Sequence, residues 1–425
     1  MNMREQYINA KLSWIAKNTK ANIIRELLKS TSIPDMISFG GGVPDPETFP
    51  RHEMAKIAKD VIENEYKISL QYGSTEGDEL LKAGYIKLLK KHNGIEGLKS
   101  ENIVITTGSQ QALDLIGRTF LDPDSICAIC SPVYLGAVSA FRARDPRFIT
   151  MPMEIDGPDI NVLEQKISAL SDDEKQKIKF IYIVSSFDNP TGISLSLEKR
   201  QRLLDFAYSN DLIIVEDDPY GALRFEGEQV PTIYKLAQDN DKYEVNPVLL
   251  LNTFSKVLSP GLRMGIVIGD PIMVRRLVMA KQGADLCTST LTQRLTARYL
   301  ENYDPIVEME PTLELYASKR DTMIKAFEDI LSEIEGVTWT YPNGGLFTWV
   351  TLPEEIDTME MLEMAKKNKI IYIPGEAFSV NEETRQLVKN SMRVSFCLPS
   401  HEEIVEGNHR LVKTIKEYME LKGLV

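Results

Sequence analysis

Apolar runs alternate with helical patterns through the middle of the chain, from about residue 100 to 285. The run 103–106 precedes a helical pattern that begins at Ser109, and the run 181–184 precedes a second one over 196–210. The second pattern opens with a serine, Ser196, that is suited to cap a helix. Strands that alternate with helices in this way predict an α/β fold, with a largely parallel sheet wrapped by helices.

A different pattern follows in the last quarter of the chain. A long helical stretch, 305–334, leads into a region where short strands and helices are mixed. The predicted strands are 345–351, 370–373 and 391–396, and the predicted helices are 359–368 and 401–421. This change predicts a smaller C-terminal domain. We find no internal repeat and no low-complexity tract.

A lysine, Lys256, follows the apolar run 248–251 in a segment of small residues. A lysine at the end of a buried strand is costly to desolvate unless its amine is neutral or covalently bound, as in Schiff-base lysines. Ser255 precedes it and Arg263 follows across a Pro-Gly turn, so a hydroxyl and a guanidinium are available to a phosphate. This segment suggests pyridoxal phosphate. Taken alone, it leaves an ordinary loop lysine as an equal alternative.

Polar residues also end two other apolar strands. Asn189, in Asn-Pro-Thr-Gly, follows the run 180–184, and Asp217 and Tyr220, in Glu-Asp-Asp-Pro-Tyr, follow the run 212–215. Ligands of open α/β sheets bind at this edge. A carboxylate there can keep a pyridine nitrogen protonated, and the amide and phenol can donate to the ring oxygen. Taken singly, Asn-Pro-Thr-Gly is an ordinary turn, and Asp217 is a helix cap or a solvated charge. The order of these two segments ahead of the Lys256 segment favours a cofactor site.

The chain resembles fold-type I pyridoxal phosphate aminotransferases of class I/II, from about residues 38–44 to 392–396. Within that family it is most similar to the branch of 2-aminoadipate, kynurenine and multi-substrate aromatic aminotransferases. The segments that carry the closer match are 24–28, 70–73, 107–113, 216–220 and 373–375.

The resemblance implies a large domain with a mainly parallel seven-stranded sheet, and a smaller α+β domain formed by both termini. We expect an N-terminal segment over 1–48, which includes a substrate-covering helix. The large cofactor-binding domain is then 49–310 and the small domain is 311–425.

The resemblance also assigns roles. Lys256 is expected to be the Schiff-base lysine and proton carrier, Asp217 the partner of the ring nitrogen, and Tyr220 and Asn189 the partners of the ring oxygen. The phosphate is expected to be held by Ser109, Gln110, Ser255 and Arg263. Tyr134 is expected to stack on the ring, and Tyr72 to reach the phosphate of a neighbouring subunit.

Substrate contacts are expected from Arg393, which matches the arginine that grips the α-carboxylate, and from Asn189, Gly41, Tyr72 and Arg25. In this branch the helix that contains Arg25 covers the substrate, and its arginine can meet a distal carboxylate. From the residues alone, Arg25 is a solvated or glutamate-paired helix charge. Related chains often carry Gln before Asn-Pro where this chain has Asp188, which we expect to point away from the site.

The implied activity is transfer of an amino group from an L-amino acid to a 2-oxo acid, with 2-oxoglutarate as the expected acceptor, in two ping-pong half-reactions. The expected donors are aromatic residues and 2-aminoadipate, with kynurenine and branched-chain amino acids as further candidates. Alternatives are a β-lyase on the same fold and a non-catalytic effector-binding relative. About 36 residues precede the 38–44 segment, which is too few for the winged-helix domain of related regulators. A non-catalytic copy of the fold would be expected to lack Lys256 or Asp217, and both are present.

Composition changes this picture little. The chain has 425 residues, 43% of them hydrophobic and 26% charged, as in globular enzymes. Its net charge of −13 argues against nucleic acid or an anionic membrane as a main partner. The first residues contain no apolar signal segment, so we expect a cytoplasmic protein and, by resemblance, a homodimer with shared active sites.

The cysteines and histidines suggest no metal site. Cys127 and Cys130 formally make a Cys-x-x-Cys motif. They lie in an apolar run that predicts a buried strand, where residues three apart face opposite sides. We therefore expect two core residues, and we predict no metal because the four histidines have no close ligand spacing.

Overall fold

The computed structural model describes residues 2–18 and 33–424. Its strands, labelled β1 to β14 in chain order, are Ile37–Ser38, Ile103–Thr106, Ile126–Ser131, Arg147–Glu154, Gly157–Pro158, Ile178–Val184, Ile213–Asp217, Val248–Thr253, Gly265–Ile268, Thr338–Trp339, Phe347–Thr351, Ile370–Ile371, Ile373–Pro374 and Ser391–Ser395.

The α-helices before the C-terminal region are Met3–Lys11, Trp14–Asn18, Arg51–Asn64, Tyr66–Ser69, Glu79–Asn93, Ser109–Phe120, Leu135–Arg142, Ile160–Ser168, Asp172–Lys175, Leu197–Ser209, Ile233–Gln238, Pro271–Gln282 and Thr290–Asn302. Those that follow are Pro305–Glu308, Glu310–Asp329, Leu362–Lys367, Glu382–Val388 and His401–Lys422. Short 3₁₀ turns lie at Pro46–Thr48, Ser100–Asn102, Pro260–Leu262, Leu331–Glu333 and Gly375–Phe378.

The large sheet has the order β2-β9-β8-β7-β6-β3-β4-β5. The central strands β8, β7, β6, β3 and β4 are parallel, whereas β9 is antiparallel to both of its neighbours. The expected α/β fold with a mainly parallel sheet is thus confirmed. The sheet differs from the expected seven strands by β5, which pairs antiparallel with the edge strand β4. This strand has two residues and so carries no apolar run that could predict it.

Apolar packing covers both faces of this sheet, as expected for parallel strands with continuous apolar sequences. Cys127 packs into the core on one face and Cys130 into the core on the other, and both are buried in β3. The two cysteines are therefore core residues on opposite sides of one strand.

The sequence places most helices correctly. Ser196 caps the helix Leu197–Ser209, since its hydroxyl accepts from the Lys199 backbone N–H at 3.2 Å. The stretch 305–334 was expected as one helix, which is wrong: the structure has Pro305–Glu308, then Glu310–Asp329, then a 3₁₀ turn. Pro311 explains the first break, because a proline lacks the N–H that a helix interior needs and is accommodated in a first turn.

The C-terminal region forms a four-stranded antiparallel sheet with the order β10-β11-β14-β13. The N-terminal strand β1 pairs with β12 from this region, at Ile37 with Ile370 and Ser38 with Ile371. Residues just after β1 are thereby held beside the C-terminal strands, facing the edge of the large sheet. Within residues 2–18 and 33–424, no helix is long and apolar enough to cross a membrane.

Candidate active site

Three neighbouring strands bring the expected cofactor residues together. Asp217 is the last residue of β7, Asn189 follows β6, and Lys256 follows β8 by three residues. The three strands are parallel and hydrogen-bonded in the order β6-β7-β8. Their carboxyl ends therefore meet at one edge, where open α/β sheets bind ligands.

Asp217 is buried and only half satisfied. The Tyr182 hydroxyl donates to its Oδ2 at 2.9 Å, whereas Oδ1 has no hydrogen-bond partner among residues 2–18 and 33–424. Burial raises the pKa of Asp217 to about 7, and the nearby carboxylates of Asp218 and Asp188 act in the same direction. A protonated heterocyclic nitrogen at Oδ1 would satisfy this atom and stabilise the ionised carboxylate.

Lys256 points from the end of β8 towards the glycine-rich segment after β1. Its Nζ donates to the Gly42 carbonyl at 2.9 Å and lies 5.9 Å from the centre of the Tyr220 ring. Burial lowers the pKa of Lys256 to about 8, and the positive charges of Arg393 and Arg263 lower it further. A neutral amine is therefore accessible near physiological pH, which nucleophilic chemistry at a carbonyl requires.

Arg393, on β14, reaches into the same space from the C-terminal sheet. Its Nη1 donates to Asn189 Oδ1 and its Nη2 to the Gly40 carbonyl, both at 2.8 Å. The guanidinium lies over the Phe347 ring, 4.2 Å from its centre. In the described part of the chain its Nε has no partner, and burial lowers the pKa of the group to about 10. Among residues 2–18 and 33–424 no carboxylate forms an ion pair with Arg393, so the site holds a desolvated cation suited to an incoming carboxylate.

Tyr220 completes the group at the sheet edge. It is buried, packs edge-on against Phe347 at 5.9 Å and shares a side-chain hydrogen bond with Asn189. Burial raises the pKa of its phenol, so Tyr220 stays protonated and can donate a hydrogen bond. Asn189 thus links the two donors Tyr220 and Arg393.

A second cluster surrounds the N-terminus of the helix Ser109–Phe120. Gly108 caps the helix with a φ of +75°, and a Cβ at this position would stand 2.3 Å from Arg263 Nη2. The Ser109 hydroxyl is buried and, among the residues described, has no hydrogen-bond partner. A helix N-terminus with a guanidinium and an unpaired hydroxyl beside it matches the donors that a phosphate needs.

Ser255, Gln110 and Tyr134 lie around these two clusters. The Ser255 hydroxyl accepts from Thr253 Oγ1 at 3.0 Å. Gln110 Nε2 donates to the Gly136 carbonyl at 2.8 Å, and the Tyr134 hydroxyl lies 3.5 Å from Gln110 Oε1. The Tyr134 ring covers Gly136 so closely that a Cβ there would be 2.4 Å from the ring. Gly136 therefore lets the ring of Tyr134 lie flat at the start of its helix.

Other expected residues lie outside this group or outside the described residues. Tyr72 is 81% exposed, on a segment held by Thr290, whose hydroxyl donates to the Gln71 carbonyl at 2.7 Å. Gly41 lies next to the Lys256 contact, and a Cβ there would be 2.8 Å from Leu398. Arg25 lies outside the described residues.

Asp188 points into its own turn. Its Oδ2 accepts from the Thr191 hydroxyl at 2.8 Å and from the Thr191 N–H at 3.3 Å. Burial raises the pKa of Asp188 to about 7. The carboxylate therefore stabilises the Asn-Pro-Thr-Gly turn, while its charge still reaches Asp217.

Sequence reasoning missed a polar network behind the phosphate cluster. The buried Lys281 donates to Gln111 Oε1 at 3.0 Å and to Asp285 at 2.7 Å. Gln111 Oε1 also accepts from the Thr107 N–H at 2.8 Å, and Gln111 Nε2 donates to Asp285 at 2.6 Å. This network fixes the turn that precedes Ser109. It joins Thr107 and Gln111 to Lys281 and Asp285, and Lys281 lies 170 residues from Gln111 in the chain, so no local sequence pattern could pair them.

The residues fit pyridoxal 5′-phosphate. Asp217 Oδ1 suits a protonated pyridine nitrogen, Ser109 with the helix terminus suits a phosphate, and Lys256 suits an aldehyde carbon. Among the described residues, no three His, Cys, Asp or Glu side chains are grouped to hold a metal. Fold and site together define a pyridoxal phosphate-dependent enzyme of fold type I.

Comparison with known proteins identifies the family. Residues 34–411 match the model of the aminotransferase class I and II family, and the chain belongs to that family. It is 41% identical to aromatic-amino-acid aminotransferase 1 of Thermococcus litoralis over 415 residues, which are 98% of this chain and 95% of the relative. It is 36% identical to a 2-aminoadipate transaminase of Thermus thermophilus over 408 residues, 96% of each chain.

A solved structure gives the same result. The chain matches the kynurenine aminotransferase of Pyrococcus horikoshii with a TM-score of 0.89 and 40% identity, over 97% of this chain and 98% of that one. The expectation of a fold-type I aminotransferase of this branch is confirmed. The protein is a transaminase, and its cofactor is pyridoxal 5′-phosphate.

Proposed function

We propose that this aminotransferase takes the amino group of aromatic L-amino acids and of 2-aminoadipate and transfers it to 2-oxoglutarate in a ping-pong reaction. Kynurenine and branched-chain amino acids are further candidate donors. Relatives named for aromatic amino acids, 2-aminoadipate and kynurenine support this range. The observation that carries the proposal is the buried guanidinium of Arg393, which shares Asn189 and the 40–42 segment with the cofactor residues.

Arg393 binds the α-carboxylate that donor and acceptor have in common. Its two Nη atoms are held by Asn189 and Gly40, so the guanidinium plane is fixed before substrate arrives. The Phe347 ring under it excludes water from one side. A carboxylate that meets this cation forms paired charge-assisted hydrogen bonds, which set the orientation of the α-carbon.

Lys256 holds the cofactor and then moves the α-proton. Its pKa of about 8 leaves about a tenth of the amine neutral at pH 7, far more than an ordinary lysine provides. A positioned amine with a pKa near the working pH serves as both base and acid. The bound cofactor supplies the electron sink that makes the α-proton acidic.

The other cofactor residues orient it. Asp217 holds the ring nitrogen, Tyr220 and Asn189 donate towards the ring oxygen, and Tyr134 covers the ring. The phosphate is held by Ser109, Gln110, Ser255 and Arg263, with the helix terminus at Ser109 contributing its backbone N–H groups and its dipole.

The side chain of the substrate meets the N-terminal segment. We assign Gly41 to the wall of the substrate pocket, because its neighbour Gly42 contacts Lys256 and its own carbonyl contacts Cys397. We assign Arg25 to the distal carboxylate of acidic substrates. A single arginine among apolar helix residues accepts an acidic side chain when turned inward and an aromatic one when turned outward.

We further propose a cytoplasmic homodimer in which Tyr72 reaches the phosphate and the substrate of the neighbouring subunit. Tyr72 is 81% exposed, and exposed apolar residues accompany it on one stretch of chain: Ile62, Tyr66, Ile68 and Leu70. Such a patch is typical of an interface. We keep the division into an N-terminal segment 1–48, a large domain 49–310 and a small domain 311–425 as part of the proposal.

Product analysis tests this function against a β-lyase on the same fold. With phenylalanine and 2-oxoglutarate, transamination gives glutamate and phenylpyruvate in equal amounts and no ammonia. A β-lyase on a cysteine conjugate gives pyruvate, a thiol and ammonia without any 2-oxo acid as acceptor. If ammonia were formed and glutamate were not, the proposed function would be wrong. Absence of both reactions would favour the effector-binding relative.

A further inference from the structure

Buried polar atoms without a partner mark the cofactor site, as Asp217 Oδ1, Ser109 Oγ and Arg393 Nε do. The same criterion finds three more atoms around a second cavity within the described residues: Asp218 Oδ1, Asn252 Oδ1 and Arg224 Nε. A buried polar atom without a partner costs free energy, so a cluster of them around one cavity points to a polar guest that pairs with them.

The second cavity has a volume of about 170 Å³ and lies behind the cofactor site. Asp217 ends β7 and Asp218 follows it directly, so their side chains point to opposite faces of the sheet. Tyr182, the partner of Asp217, belongs to the core on one face, whereas Tyr85 and Phe254, which line the cavity, belong to the core on the other. None of the residues assigned to the cofactor lines it.

The three polar atoms are held in place by their other contacts. Asn252 Nδ2 donates to the Asp218 carbonyl at 3.0 Å, which leaves Oδ1 as the atom available to the cavity. The Arg224 guanidinium lies over the Phe187 ring at 4.7 Å. Asp218 is 8% exposed. Ser186 and the Gly221 backbone N–H donate to its carboxylate, and the charges of Arg200 and Arg224 act on it. The site is therefore preformed, with one carboxylate and one guanidinium in its lining.

These atoms fix the chemistry of the ligand. Two oxygen acceptors, Asp218 Oδ1 and Asn252 Oδ1, require two donors, and Arg224 Nε requires one acceptor. A cation would be repelled by Arg224 and an anion by Asp218. We propose that this cavity binds the primary carboxamide group of a small molecule, whose NH₂ provides both donors and whose C=O provides the acceptor. The apolar remainder of the lining, which includes Leu88, Phe254 and Ile306, accommodates a short carbon stem.

The test uses acetamide as the probe and the holoenzyme as the protein. Ligand-observed NMR titration compares acetamide with N,N-dimethylacetamide, which lacks the N–H donors, and with acetate, which has the same shape and a negative charge. We expect acetamide to bind at least tenfold more tightly than either. Equal binding of all three, or no binding of acetamide, would overturn the proposal.

Two variants locate the binding. Asn252→Leu removes one acceptor and Arg224→Met removes the donor, and each should weaken acetamide at least tenfold, whereas the surface change Asn210→Leu should have no effect. If neither variant folds, a crystal of the wild-type holoenzyme soaked in acetamide decides. Acetamide between Asn252 and Arg224 supports the proposal, and ordered water alone in the cavity contradicts it.

Discussion

The Tyr182 hydroxyl donates to one oxygen of the Asp217 carboxylate at 2.9 Å, and it does so from the neighbouring strand of the sheet. This bond orients the carboxylate and leaves Oδ1, which accepts no hydrogen bond from any described residue, free for the proposed contact with the cofactor nitrogen. The bond opposes the effect of burial on the pKa of Asp217, but burial is larger and the pKa rises to about 7. The ionised form of Asp217 is therefore unfavourable in the folded protein until a cation binds beside it.

The raised pKa of Asp217 predicts that the stability of the apoenzyme depends on pH. The pKa of Asp217 is about 7 in the folded state and about 4 in an unfolded chain. Between these values the folded state binds more protons, so the contribution of Asp217 to stability is lost as the pH rises from 4 to 7. Asp217→Asn removes this loss. The difference in free energy of unfolding between this variant and wild type should grow by about 4 kcal/mol in favour of the variant between pH 4 and pH 8.

Denaturant unfolding of both apoenzymes at several pH values measures this difference. Asp188, Asp218 and Tyr182 surround Asp217 and remain in both proteins, so their own titration largely cancels. A constant difference across the pH range would mean that Asp217 has an ordinary pKa.

Replacement of Lys256 should stop catalysis and leave the fold intact. Lys256→Ala removes an amine that donates a hydrogen bond to the Gly42 carbonyl, and it leaves the apolar core unchanged, so little packing is lost. General acid–base catalysis alone contributes about 10²–10⁴-fold, and the covalent role adds to it. We expect turnover to fall by at least about a thousandfold, with an unchanged circular dichroism spectrum. Turnover within about tenfold of wild type would refute the assignment.

Activity should depend on the dimer. Tyr72 is exposed, and its proposed target is the phosphate of a neighbouring subunit. Dilution that dissociates the protein should therefore reduce activity in parallel with the dimer fraction, as measured by sedimentation. Tyr72→Phe, which keeps the ring, should weaken the binding of the cofactor without changing the association of the two subunits. A fully active monomer would exclude shared sites.

Arg25 should matter for acidic substrates only. Arg25→Ala removes a charge-assisted contact, which corresponds to about 2–3 kcal/mol in kcat/KM for 2-aminoadipate or glutamate. Aromatic donors should keep their kcat/KM, because they do not use the guanidinium. Equal losses for both classes would show that Arg25 is structural.

The sequence predicts the sheet, its direction and the polar turns at its edge because each is local: an apolar run is followed by a polar turn, as at Asp217 and Lys256. It does not predict residues that depend on distant packing. Lys281 reaches Gln111 from another helix, and Phe347 lies under Arg393 from a neighbouring strand. The helical pattern continues on both sides of Pro311, so it does not predict the break between Glu308 and Glu310.

The cofactor's visible absorption, followed in the purified protein, tests the central claim most directly. Addition of phenylalanine or 2-aminoadipate without any oxo acid should abolish the absorption of the lysine-bound cofactor, and one equivalent of phenylpyruvate or 2-oxoadipate should appear. Subsequent 2-oxoglutarate should restore the absorption and give one equivalent of glutamate. A protein that binds the cofactor but shows no change with any amino acid, or whose absorption 2-oxoglutarate does not restore, would contradict a ping-pong aminotransferase.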